Sequence, residues 1–85
     1  MGRYSDARRT KSAALASAEK TYEPGQPEIA IGQSNLALVL QDLGQLEEAR
    51  DLLRKAHQTY LSRFGPDHPG TQTIRQNLEI VSNAT

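Results

Sequence analysis

With 85 residues the chain has room for one small domain with a thin core. Ten Lys and Arg balance ten Asp and Glu, so it lacks the basic excess by which nucleic-acid binders hold phosphates. Cysteine is absent, which excludes disulfides and thiol chemistry and suits a cytoplasmic protein. Leu, Ile, Val and Phe number only 17, but disorder also needs a high net charge, so a folded domain is expected.

In chain order, the first helix is expected over 3–23. Its start carries Arg3, Arg8, Arg9 and Lys11 against Asp6, which a solvated helix face explains. No apolar core follows that charged start, so it does not read as a signal peptide. Pro24-Gly25-Gln26-Pro27 breaks this helix. A second helix over 28–43 starts at Pro27, whose missing N–H is harmless in a first turn. It ends at Gly44, a helix-stopping glycine. Ile29, Ala30, Ile31, Leu36, Ala37, Leu38, Val39, Leu40 and Leu43 leave almost none of its faces polar, so it must be covered on several sides.

The third helix, 45–64, repeats Leu46, Ala49, Leu53, Ala56, Tyr60 and Phe64 along one face. Glu47, Glu48 and Asp51 come early in it and Arg54 and Lys55 later, which suits the helix dipole. Gly65-Pro66-Asp67-His68-Pro69 then breaks the chain before a fourth helix, 69–83. No segment alternates with the period of a strand, so the fold class is all-α. The longest apolar run, Leu36–Leu40, is far below the roughly 20 residues of a membrane span, so no membrane partner is expected. The Asn83-Ala84-Thr85 sequon is read as chance.

The two breakers share a register of 42 residues. Gly2 pairs with Gly44, Tyr4 with Leu46, Ala7 with Ala49, Arg8 with Arg50 and Ala14 with Ala56. Further on, Tyr22 meets Phe64, Pro24 Pro66, Pro27 Pro69, Asn35 Asn77, Leu36 Leu78 and Val39 Val81. A fixed period of this size marks a helical repeat whose units stack because none buries its face alone.

Gly44-Gln45-Leu46-Glu47-Glu48-Ala49, with Leu36, Ala37, Leu40, Leu53 and Ala56 at their spacings, resembles a tetratricopeptide repeat. The period and the Gly65–Pro69 linker are similar to the longer variety of kinesin light chains. The resemblance implies four antiparallel helices in a right-handed superhelical stack. Residues 1–23 would be the second helix of a partial repeat, 28–64 a complete repeat, and 69–85 the first helix of a further repeat or a cap. Ala37, Ala49 and Ala56 would sit where helices cross closely. Thr10, Lys11, Glu79 and Ser82 stand where the central repeat has Leu52, Leu53, Ala37 and Leu40. The flanking helices are therefore either polar caps or drifted copies from a longer repeat scaffold.

Chemistry is nearly absent. His57 and His68 are the only histidines, too few for a metal site. A structural role is expected for His57, and capping or turn packing for His68. No phosphate loop, serine elbow or carboxylate pair appears, so neither catalysis nor a cofactor is expected. The resemblance instead implies a protein-interaction module with a concave groove. Its walls would be Ile31, Ser34, Leu38 and Gln41 on the second helix and Thr73, Gln76 and Ile80 on the fourth. Asn35 and Asn77 resemble groove asparagines that bond a ligand's backbone. Alternatively, Ile31 and Leu38 pack on helix four, and the asparagines bond a neighbouring helix. The partner is a peptide or protein segment, or a second copy paired through the apolar second helix.

Overall fold

The computed structural model describes residues 2–23 and 25–84, and the side chains of 6–23 and 25–84. Pro24 of the first breaker and Thr85 of the sequon lie outside the described residues, as do the side chains of Arg3 and Tyr4. Four helices follow in order: α1 (Gly2–Thr21), α2 (Pro27–Asp42), α3 (Leu46–Phe64) and α4 (Pro69–Ala84). There is no strand among the described residues, and the fold class is the all-α one that the sequence implies.

The turns follow from their residues. Pro27 and Pro69 are the first residues of α2 and α4. After α2, Gly44 takes φ +80°, in the left-handed region where a side chain would be strained. Its N–H donates to the Gln41 carbonyl (3.0 Å), and the Gln45 N–H donates to that of Leu40 (2.8 Å). That pair of bonds satisfies two carbonyls the helix end would leave open, and turns the chain back within three residues. Glu47 and Glu48 then sit in the first turn of α3 and Arg63 in its last, matching the dipole at both ends. His68 Nδ1 accepts the Gly70 N–H (3.0 Å) at the start of α4.

Each helix packs on the next along the chain, α1 on α2, α2 on α3 and α3 on α4, with little contact otherwise. The Cα envelope measures 39 × 33 × 17 Å, and its thin dimension suits two helix layers about 10 Å apart. The core is the seam through α2 and α3. Ala30, Ala37, Ala49, Leu53 and Ala56 have no exposed surface, and Leu40 almost none. The three alanines expected at close crossings, Ala37, Ala49 and Ala56, are thus all enclosed. They let the helices approach, while Leu36, Leu40 and Leu53 fill the space between. From α4 come Ile74, Val81 and Thr71.

One expected core position is corrected. Phe64, placed by periodicity on the buried face of α3, is 43% exposed. It closes the last turn of α3, where its ring stacks on His68 (centroids 4.5 Å apart) instead of entering the core. Arg63 beside it donates from Nε to the Gly25 carbonyl (3.0 Å), tying the end of α3 to the first interhelical turn.

Candidate functional site

The apolar positions of α2 divide cleanly. Ile29, Ala30, Leu36, Ala37 and Leu40 turn inward with Gln33, while Ile31 and Leu38 stay 49% and 42% exposed. On α4, Thr73, Gln76 and Ile80 are exposed, Ile80 at 56%. Ser34, Gln41 and Asn77 are half-buried and Asn35 is exposed.

Ile31, Ser34 and Asn35 of α2 come together with Thr73 of α4 around a hollow of about 220 Å³. Tyr60 of α3 forms its floor, and Gly70 and Ile74 complete it. Leu38, Gln41, Gln76, Asn77 and Ile80 do not line this hollow; they lie further toward the C-terminal ends of α2 and α4. Among the described residues, neither the Asn35 nor the Asn77 side chain has a hydrogen-bond partner. Both carboxamides thus keep a donor and an acceptor unused. Ion pairing is sparse here: Arg75 meets Glu79 at 3.8 Å on the exposed side of α4.

Tyr60 and Gly70 escape a reading of sequence alone. Tyr60 stands where the preceding copy has Ala18, so a large ring replaces a methyl group. That exchange is the visible signal. The ring lies 5.1 Å from Phe64 and 6.0 Å from His68 between centroids, so the stacked Phe64–His68 pair supports it from one side. It also presses against the first turn of α4. A Cβ on Gly70 would sit 2.6 Å from Tyr60 Cε2 and 3.0 Å from Cδ2. Gly70→Ala is therefore expected to displace the ring, shrink the hollow and destabilise the fold by about 1–2 kcal/mol, despite alanine's better helix propensity. Thermal unfolding checks the cost; an Ala variant as stable as the parent would mean that the ring moves freely.

No group of three or more His, Cys, Asp or Glu is placed among the described residues to hold a metal. His57 is half-buried and His68 is engaged at the α4 start. No helix among them is long and apolar enough to cross a membrane.

Stacked helical hairpins with small residues at the crossings define a helical-repeat protein. The tetratricopeptide repeat family model matches residues 28–82, about two thirds of the chain. The chain belongs to the tetratricopeptide repeat family.

Proposed function

We propose that the face between α2 and α4 is a concave groove that receives a peptide or protein segment of a partner. One observation carries this reading: Ile31, Ser34, Asn35 and Thr73, from two helices, surround one hollow while the Asn35 carboxamide stays unbonded. An apolar wall with a few unmet polar groups is the usual make-up of such a site. Leu38, Gln41, Gln76, Asn77 and Ile80 extend the walls beyond the hollow. Within this reading 28–64 is the complete repeat, with the 42-residue spacing of the kinesin-light-chain variety. Residues 1–23 and 69–85 are a partial repeat and a first helix or cap, in a non-catalytic module of a longer, cytoplasmic scaffold.

The test uses peptides selected from a random library against the intact chain. Leu38 and Asn35 are exposed, so Leu38→Lys and Asn35→Ala should fold normally. Leu38→Lys is expected to weaken binding at least about tenfold, since burying a leucine contributes roughly 1.5–3 kcal/mol. Asn35→Ala should weaken it less, by the smaller worth of a neutral hydrogen bond. Selected peptides indifferent to both substitutions would remove the groove. Sedimentation over a wide concentration range covers the other occupant: a tight dimer dispersed by Leu38→Lys would place a second copy there instead.

A further inference from the structure

A second recess lies on another part of the molecule, at the Gly25 turn beside α3. It encloses about 510 Å³ and is lined by polar groups, among them Gln33, Lys55, Thr59, Ser62 and Arg63. A narrower hollow of about 230 Å³ also borders Gly25, Gln33 and Thr59 and reaches Glu19 on α1. None of its polar residues belongs to the groove between α2 and α4.

Three features point to a ligand. Gln33 is nine-tenths buried, yet its carboxamide has no hydrogen-bond partner and Oε1 is shut away from solvent. Such a group costs stability wherever it stays unmet. A half-turn of the amide exchanges oxygen for nitrogen, so it can answer an acceptor or a donor. Lys55 and Arg63 pair with no carboxylate among the described residues. Finally, Lys55, Thr59 and Arg63 follow at four-residue steps along α3, which keeps them near one face.

We propose that this recess binds an extended peptide segment carrying two carboxylates, one toward Lys55 and one toward Arg63. Their eight-residue separation on the helix is about 12 Å. An extended chain covers about 13 Å in four residues, and side chains four apart lie on the same side of it. The ligand pattern is therefore acid, three intervening residues, acid. Between them a peptide group can pair with the Gln33 carboxamide, and the Thr59 and Ser62 hydroxyls border the track. Glu19 borders the adjoining hollow on α1, so its charge favours the acidic side chains on the α3 side. The peptide group that Gln33 needs favours a protein ligand over a nucleic acid, as does the chain's zero net charge.

The test is fluorescence anisotropy with a labelled eight-residue Gly/Ser peptide bearing two glutamates four positions apart, against its twin with glutamines. The glutamate peptide is expected to bind about tenfold more tightly at low ionic strength, a preference that high salt erodes. Lys55 is exposed, so Lys55→Glu should remove the preference without unfolding the chain, as circular dichroism would verify. Gln33→Leu should weaken the glutamate peptide severalfold while leaving stability equal or raised, because it deletes an unmet polar group. Leu38→Lys should change nothing here, which separates this recess from the groove. Equal binding of the two peptides, no binding of either at millimolar concentration, or indifference to both Lys55→Glu and Gln33→Leu would overturn the proposal. Tighter binding of a single-stranded oligonucleotide of equal charge would overturn it too.

Discussion

Leu53→Ala is expected to remove a large share of the protein's stability. Leu53 has no exposed surface and stands in the α2–α3 seam with Leu36 and Leu40. Truncating a buried leucine costs about 2–5 kcal/mol, through lost transfer energy and the cavity left behind. A domain of 85 residues has roughly 4–13 kcal/mol in all. The urea midpoint should therefore fall sharply, and at the upper end of the range the variant would be largely unfolded at 37 °C. A midpoint within error of the parent's would mean that the seam is not where the stability resides.

The opposite error should cost nearly as much. Ala49→Leu adds three carbons to a fully enclosed position between helices, and overpacking of this kind costs about 1–3 kcal/mol. Its control is Ala14→Leu. Ala14 shares the 42-residue register with the enclosed Ala56 but is itself exposed on α1. That change should be close to neutral. Equal melting temperatures for the two variants would show that the third helix does not cross its neighbour at Ala49.

The contrast between Ala14 and Ala56 also marks what the sequence discloses. Breakers and periodicity locate the four helices because they act locally: proline cannot sit inside a helix, and Gly44 relieves a left-handed turn. The alanine spacing identifies the crossing face for the same reason. Neither tells which copy of an aligned position will be covered, since that depends on the neighbour present. Phe64 shows the failure in one direction, a core-patterned residue left at the surface because its turn of helix meets His68. Tyr60 and Gly70 show it in the other. They are ten residues apart in the chain, and meet only because α4 folds back against α3. The stripes Ile31–Leu38 and Thr73–Ile80 were legible from helical spacing. The recess around Gln33 was not, although an amide four residues from Ile29 on an inward face was a signal in plain view.

Among the described residues, Leu15 is the one side chain that α1 buries in the core, with Ala18 partly enclosed beside it. Helices that couple only to their sequence neighbours behave as a linear array in which each junction has its own strength. In the core the α1–α2 junction rests on that single leucine, and the Arg8–Glu48 pair, which reaches from α1 to α3 at 3.8 Å, is too exposed to add much. Opening in such an array begins at the weakest link and need not spread. The backbone amides of α1 can therefore exchange with solvent through a local detachment that leaves α2 to α4 assembled, so a single unfolding free energy would describe the seam and understate how often the first helix lets go.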